Sequence, residues 1–141
     1  MRARRENLFG LMEPLLPHVE KPSRYLDHEW GAVVDQDGPF HACLVYADVY
    51  EVGQPNLGIA ILYGRINEQD GMSCERAYLP WTDMSALMRE RGVPLLSLES
   101  AAPLGSFDVI GFTLAHELIF TNVLEVLDLA GIAPRADERD E

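Results

Sequence analysis

The apolar and polar positions along the chain alternate between the pattern of buried strands and the pattern of amphipathic helices. Residues 40–47 are almost continuously apolar, as expected for a strand that is covered on both faces. Residues 74–79, 93–98 and 107–114 predict three further strands. Because helices are predicted between them, the pattern indicates an α/β fold with a doubly wound, mostly parallel sheet.

The part of the chain before these strands has a different pattern. Residues 6–16 predict a short amphipathic helix that is kinked at Pro14 or ended by Pro17. Residues 18–37 predict an irregular arm with a short extended piece at residues 32–34. This segment therefore predicts an arm that packs on the α/β unit and adds little regular structure.

Three longer helices are predicted between and after the strands. Asn56 can cap a helix that runs to about residue 69, and Thr82 or Asp83 can cap one that stops at Gly92. Residues 117–130 predict the last helix, which is followed by a glycine suited to a helix C-terminus. The residues expected on the buried sides are Ile59, Leu62, Tyr63, Ile66, Met84, Leu87, Met88, Leu118, Val123, Leu124, Leu127 and Ala130.

The patterns divide the chain into an arm over residues 1–38, an α/β domain over residues 39–132 and a charged, frayed tail over residues 133–141. The net charge is −12, from 11 Lys+Arg against 23 Asp+Glu. This charge repels phosphate backbones and anionic lipid, so we expect neither nucleic acid nor membrane as a partner. The first apolar stretch is too short and broken for a signal peptide or a membrane span.

Few residues suggest catalysis. Two cysteines, Cys43 and Cys74, are too few for a disulfide framework or a multi-cysteine metal site and favour a reducing, cytoplasmic setting. The histidines show no spacing typical of a metal site, and no phosphate-binding loop, dinucleotide fingerprint or nucleophile elbow occurs. Tyr78 and Trp81 flank a proline at a strand-to-helix junction, where core packing is favoured over an aromatic binding shelf.

Candidate binding residues lie in two loops expected at the carboxyl ends of strands. Ligands of doubly wound sheets bind beyond these ends, and a flavodoxin-like strand order would make the two loops neighbours. Gly53 and Gly58 can let backbone amides approach a ligand, or can only shape the turn, and Asn56 opens a helix that favours an anion. His116 and Glu117 can serve as ligand or acid/base groups, or can only start a helix.

Several segments together resemble the amino-terminal region of a family of large radical SAM proteins. The likeness spans residues 11–132 and rests on order and spacing. The segments that carry it are VEKPSRYL, NLGIAILYGRIN, RAYLPWTDMSALMRERGVPLLSLES, FDVIGF and GFTLAHELIFTNVLEVLDLAGI. Because the leading domain of that family is related to cobalamin-binding domains, the resemblance implies a flavodoxin-like α/β fold, truncated if strands are missing.

The resemblance also implies a degenerate cobalamin site. The broader cobalamin-binding class carries an Asp-x-His-x-x-Gly loop whose His ligates cobalt, whereas here the stretch from Asp48 to Gly53 has Tyr50 in that place. A neutral phenol is a poor cobalt ligand, so coordination by His is excluded at this position. A Ser-x-Leu element of that class corresponds to Thr113-Leu114-Ala115, a downstream Gly-Gly element has no counterpart, and His116 is a candidate substitute ligand.

Radical SAM chemistry needs a CxxxCxxC motif to hold an iron–sulfur cluster, and two distant cysteines cannot form it. We therefore expect no iron–sulfur cluster here and a non-catalytic accessory domain, partnered by a radical SAM catalytic domain or by a second copy. The alternative is a small-molecule module for a corrinoid or a nucleotide. A self-sufficient flavodoxin-like enzyme is a third interpretation, without a visible activating constellation. The residues predicted for binding are Asp48, Tyr50, Gly53, Asn56, Gly58, Thr113, His116 and Glu117.

Overall fold

The predicted parallel sheet lies at the centre of the fold. The structure is a computed structural model, and the residues that it describes are 6–26, 29–34 and 38–139. Within them, β1 (Phe40–Tyr46) lies between β2 (Met72–Tyr78) and β3 (Val109–Thr113), and both pairings are parallel. The order β2-β1-β3 is that of the first strands of a flavodoxin-like sheet. The predicted α/β class is confirmed.

Helices connect the strands as the sequence predicted. The connection from β1 to β2 contains α2 (Tyr50–Gly53) and α3 (Leu57–Asn67), and α4 (Thr82–Arg91) follows β2. After β3, α5 (Phe120–Leu129) is preceded by a 3-10 turn at Glu117–Ile119. Among the described residues, no helix combines the length and the apolar character needed to cross a bilayer.

The amino-terminal segment is helical, as predicted, but only briefly α-helical. It begins with α1 (Phe9–Met12) and continues as a 3-10 helix, Glu13–His18, that contains Pro14 and Pro17. The arm contains a 3-10 turn at Pro22–Tyr25 and, in its described part, no strand. Some residues of the predicted arm (1–5, 27–28 and 35–37) and of the predicted tail (140–141) lie outside the described residues. The predicted domain boundaries stay predictions.

The two faces of the sheet are covered by different elements. On one face, α3 places Ile59 and Tyr63 over side chains of β1 and β2. The opposite face carries the larger core, because the amino-terminal helices, α4 and α5 all pack there. The buried residues at the centre of this larger core are Met12, Leu15, Cys43, Val45, Ala77, Met84, Met88, Leu104, Val126 and Leu129.

The prediction of a strand at residues 93–98 is wrong. This segment belongs to a connector, residues 93–108, that runs beside the outer edge of β2 and forms only an isolated bridge between Leu96 and Pro103. One amide, that of Leu98, donates to the carbonyl of Arg76 at 2.7 Å. Prolines explain the failure, since Pro94 and Pro103 have no N–H to donate to a ladder.

The last strand and helix differ from prediction in what they bury. β3 is an edge strand with half-buried and exposed side chains, not a buried strand. In the last helical region, Leu118 and Leu124 are 79% and 55% exposed, while Val126, Leu127 and Leu129 are buried. Among the described residues no element covers the outer side of β3, so apolar residues there have no partner.

Two further predictions about helices need correction. Leu62 is exposed, because the face of α3 that meets the sheet is centred on Ile59 and Tyr63. The N-cap of α4 is Trp81, whose side chain makes no capping bond. The predicted end of this helix is confirmed, since Gly92 has a left-handed φ of +66°.

Candidate functional site

The two predicted loops begin side by side at the carboxyl end of the sheet. Tyr46 at the end of β1 pairs with Thr113 at the end of β3, so the predicted proximity of the strand ends is confirmed. Asn122 of α5 links them further, because its side-chain amide donates to the carbonyl of Ala47 at 2.8 Å. No sequence pattern pointed to this asparagine, which lies in the first turn of an amphipathic helix.

The loop after β1 folds back on the domain instead of remaining open. The carboxylate of Asp48 accepts a hydrogen bond from the Val49 amide at 2.7 Å, and the backbone carbonyl of Asp48 accepts one from the Leu79 amide. The expected loop then becomes the short helix α2. Tyr50, its first residue, meets the ring of Tyr78 edge-on, with ring centroids 5.4 Å apart. The phenol ring of Tyr50 thus contacts β2.

The glycines and the asparagine of this loop have local structural partners. A Cβ on Gly53 would lie 2.6 Å from Cδ1 of Tyr78 and 2.8 Å from Cβ of Tyr46, so α2 packs directly on these aromatic residues. Asn56 caps α3, as predicted, by accepting a hydrogen bond from the Ile59 amide at 3.0 Å. Gly58 is exposed within α3. These contacts account for the loop without a ligand.

The predicted residues after β3 are exposed. Thr113 is half-buried, whereas His116 and Glu117 lie on the surface at the start of the 3-10 turn. The side chain of His116 makes no capping bond there. Within the described part of the chain, no group of three or more His, Cys, Asp or Glu residues can hold a metal ion.

A pocket lies at the same end of the sheet, beside β2. Its walls come from α1, the Pro22–Tyr25 turn, α2, the end of β2, α4 and the connector. The polar lining residues are Arg24, Tyr25, Tyr50, Tyr78 and Ser97. The apolar ones are Met12, Ala77, Leu79, Pro80, Met88, Leu95, Leu96 and Leu98. We call this site the β2 pocket.

Arg24 is held in the wall of the β2 pocket by several contacts. Its Nε lies 2.9 Å from both carboxylate oxygens of Glu51, and Lys21 reaches the same carboxylate at 3.2 Å. The guanidinium lies 5.1 Å from the centre of the Trp81 ring. Partial burial favours neutral Glu51, but hydrogen bonds from its own amide and from Arg24 prevail and lower the pKa of Glu51.

Two polar atoms of the pocket's lining residues are buried without a hydrogen-bond partner among the described residues: Arg24 Nη1 and the hydroxyl of Tyr78. Burial raises the pKa of Tyr78 to about 12, so the phenol is neutral and can donate a proton to an acceptor. The neighbouring Tyr25 hydroxyl has a partner, since it accepts from the Trp81 amide at 3.1 Å.

A buried ion pair joins the connector to β2. Glu99 accepts hydrogen bonds from the amide and from Nε of Arg76, both at 2.7 Å. The guanidinium of Arg76 lies 4.4 Å from the centre of the Tyr63 ring, and its Nη2 has no partner in the described chain. Burial outweighs the attraction of Arg76 and raises the pKa of Glu99 to about 7.

Both cysteines are buried within the sheet. Cys43 points into the larger core, and Cys74 packs with Ala42 and Tyr63 on the opposite face. Burial raises the pKa of Cys74 to about 12, so its thiolate is disfavoured. These thiols are packing residues.

Of the residues that line the β2 pocket, only Tyr50 was predicted as a binding residue, and neither member of the buried pair was predicted. One signal was available: Glu75 and Arg76 interrupt a predicted buried strand, and buried charges need partners. No pattern could name Glu99 as the partner, because it lies 23 residues away in a connector. Trp81, which was expected to be core, is partly exposed and lies under Arg24.

Comparison with known families decides the class of this domain. Residues 58–141, more than half of the chain, match a family described as the N-terminal part of radical SAM proteins. The chain belongs to this family. The match to this radical SAM N-terminal domain begins in α3 and includes β2, the connector, β3 and α5. Neither a curated protein nor a solved structure gave a significant match.

Proposed function

We propose that this radical SAM N-terminal domain is a non-catalytic accessory module that docks on a radical SAM catalytic domain along the open edge of β3. The observation that carries the proposal is this edge itself. β3 pairs with β1 on one side, and in the described chain nothing pairs with it on the other. An uncovered strand edge offers unpaired backbone groups to a further strand or chain.

Apolar side chains accompany the open edge. Large apolar residues that are about half exposed or more follow one another on β3, on the connection after it and on the first turns of α5. They are Val109, Leu114, Leu118, Phe120 and Leu124. Such a concentration favours an interaction surface over solvent contact. We assign a catalytic domain as its occupant because the family is defined within radical SAM proteins.

The packing of the loop after β1 supports the loss of a corrinoid site. Tyr50 stands where the cobalamin-binding class has its cobalt ligand, and its ring packs on Tyr78. Gly53 lies so close to Tyr46 and Tyr78 that α2 has no space beneath it for a ligand. Both features are expected of a domain that kept the fold and filled the site with its own side chains.

The docking proposal is tested by association. The chain is mixed with the catalytic domain of a radical SAM protein that contains a domain of this family, and binding is followed by sedimentation velocity. We expect a complex that Val109→Lys combined with Leu118→Lys weakens at least 10-fold, since charged side chains would oppose apolar contact. Leu62→Lys, on the exposed side of α3, is the matched control and should leave binding unchanged.

Three results would contradict this proposal: no complex, a complex that the double variant does not weaken, or self-association that the same variant abolishes. The last result would assign the β3 edge to a second copy of the chain.

A titration with hydroxocobalamin tests the corrinoid part, and we expect no spectral change. Saturable binding at micromolar concentration would favour the small-molecule module instead.

A further inference from the structure

We infer that the partner at the β3 edge adds a β-strand of its own to the sheet, hydrogen-bonded to the main chain of Ile110 and Phe112. This rests on the proposed docking function and specifies its contact: a strand of the radical SAM catalytic domain, paired along Val109–Thr113. Docking through side chains alone would leave the main-chain groups of β3 unpaired. The two modes of docking therefore differ in the hydrogen exchange of single amides.

The direction of the main-chain groups in the sheet is set by Arg76 on β2. Its carbonyl accepts a hydrogen bond from the Leu98 amide, and its amide donates to Glu99, so both groups point away from β1. Residues paired in a parallel register point to the same side, and successive residues of a strand point to opposite sides. Leu44, the partner of Arg76 on β1, therefore points towards β2, and its two neighbours on β1 point towards β3.

These two neighbours, Cys43 and Val45, are paired with Ile110 and Phe112 on β3. By the same rule, the main-chain N–H and C=O groups of Ile110 and Phe112 point away from β1, to the open edge. In the described chain, neither residue makes a main-chain hydrogen bond on that side. The edge thus presents donors and acceptors at the spacing of a strand, which a further strand can pair with.

On β2, by contrast, the outward groups are bonded within the domain. The side chain of Asn67 donates to the Cys74 carbonyl at 3.1 Å and accepts from the Cys74 amide at 2.8 Å. Glu99 and Leu98 bond the amide and the carbonyl of Arg76 in the same way. These contacts take the place of a neighbouring strand, and no described residue does so at β3.

The sequence of β3 lacks the features by which edge strands avoid pairing. Such strands are protected by charged side chains, by proline or by a bulge. Residues Val109–Thr113 contain neither a charge nor a proline, and their register with β1 is continuous. This composition favours a strand of the catalytic domain over a helix or a loop as the element that contacts β3.

The side chains of β3 specify one face of the added strand. Ile110 and Phe112 pack at the margin of the larger core and stay partly exposed. Side chains of an added strand on this face would lie beside them and cover them. We therefore expect apolar residues at alternate positions of the partner's strand.

Amide hydrogen exchange tests the pairing, measured in the ¹⁵N-labelled chain alone and in its complex with the unlabelled catalytic domain. In the free chain, the outward amides of Ile110 and Phe112 should exchange about 100-fold faster than those of Gly111 and Thr113, which face β1. In the complex, the exchange of Ile110 and Phe112 should slow by about 100-fold. The amide of Arg76, already bonded at the other edge, is the internal control and should exchange slowly in both.

A substitution that removes one outward amide separates main-chain pairing from side-chain contact. Ile110→Pro deletes this N–H and should weaken the complex about 10-fold, and proline is tolerated on an edge strand where its nitrogen faces outwards. Ile110→Ala is the matched control: it also shortens the side chain but keeps the N–H, and should weaken the complex by less than about 3-fold. If Ile110→Pro does not fold, the exchange pattern of the unaltered chain decides.

Two outcomes would overturn strand addition while docking survives. One is a complex in which Ile110 and Phe112 exchange as in the free chain, and the other is a complex that Ile110→Pro and Ile110→Ala weaken equally. Slow exchange of both amides in the dilute free chain would also overturn it, because the domain would then cover its own edge. Absence of any complex would overturn strand addition together with the proposed function.

Discussion

The two edges of the sheet are built in opposite ways. At the β2 edge, the connector lies alongside the strand, and the buried pair of Arg76 and Glu99 joins the two. At the β3 edge, Val109 is 49% exposed, and no described element lies beyond the strand. The difference means that, within the described residues, the domain covers one side of its sheet and leaves the other side open.

The contrast extends to the chemistry at the two edges. The covered edge contains the β2 pocket and polar groups withheld from water. The open edge is followed by exposed apolar side chains and by His116 and Glu117 on the surface. Substitutions at the covered edge should therefore alter stability, and those at the open edge should alter association.

The largest expected effect is that of Glu99→Ala. Removing this carboxylate leaves Arg76 charged and unpaired in the interior, so the free energy of unfolding should fall by about 3–5 kcal/mol in urea denaturation. Glu125→Ala, which breaks an exposed pair with Arg89, should cost less than about 1 kcal/mol. If the two losses are equal, the ion pair does not secure the covered edge.

Removing both charges of this pair separates the cost of an unpaired Arg76 from the value of the pair. Arg76→Met combined with Glu99→Met replaces the ion pair with apolar side chains of similar length. Such replacements of buried pairs are often neutral or stabilising, so the double variant should recover most of the stability lost in Glu99→Ala. A double variant as unstable as the single one would contradict this explanation.

The same carboxyl group should make stability depend on pH. Because the pKa of Glu99 is raised to about 7 in the fold, the folded state holds a proton that the unfolded state releases at lower pH. The contribution of Glu99 to the free energy of unfolding is therefore complete below about pH 4.5. It is lost as the pH rises towards 7, and the loss is at most about 3 kcal/mol.

Comparing the unaltered chain with Glu99→Gln by thermal denaturation from pH 4.5 to 7 isolates this dependence. As the pH rises, the free energy of unfolding of the unaltered chain should fall relative to that of Glu99→Gln. A difference that does not vary with pH, or one that varies in the opposite direction, would show that Glu99 is ionised throughout.

A smaller effect is expected from Gly53→Ala. The added methyl group would collide with Tyr78 and Tyr46, so the free energy of unfolding should fall by about 1–3 kcal/mol as α2 shifts. Gly64→Ala is the matched control within α3: nothing lies within 4 Å of its Cβ, and it should stabilise by about 0.5–1 kcal/mol. Equal behaviour of the two variants would contradict close packing under α2.

The smallest change in stability is expected at the open edge. Val109→Lys should alter the free energy of unfolding by less than about 0.5 kcal/mol, because this partly exposed side chain has little packing to lose. Val45→Ala on the central strand, where Val45 is fully buried, should cost roughly 2 kcal/mol. A large loss in Val109→Lys would mean that the domain itself covers this edge.

Sequence patterns predicted the elements with the strongest local signals. β1 was recognised because a short apolar run needs two covered faces, and α3 because Asn56 is a good cap. Local signals failed where a neighbour decided the outcome. Prolines kept residues 93–98 out of the sheet, and the missing neighbour of β3 left Leu118 and Leu124 exposed.

The sequence by itself determined the α/β class, the radical SAM N-terminal family and the absence of a cysteine motif for an iron–sulfur cluster, since these depend on periodicity, order and spacing along one chain. Tertiary structure alone decided that Arg76 meets Glu99, that Arg24 and Tyr78 line one pocket, and that Tyr50 packs inward. Those contacts join residues that are distant in sequence, and only the packing of the sheet, the arm and the connector brings them together.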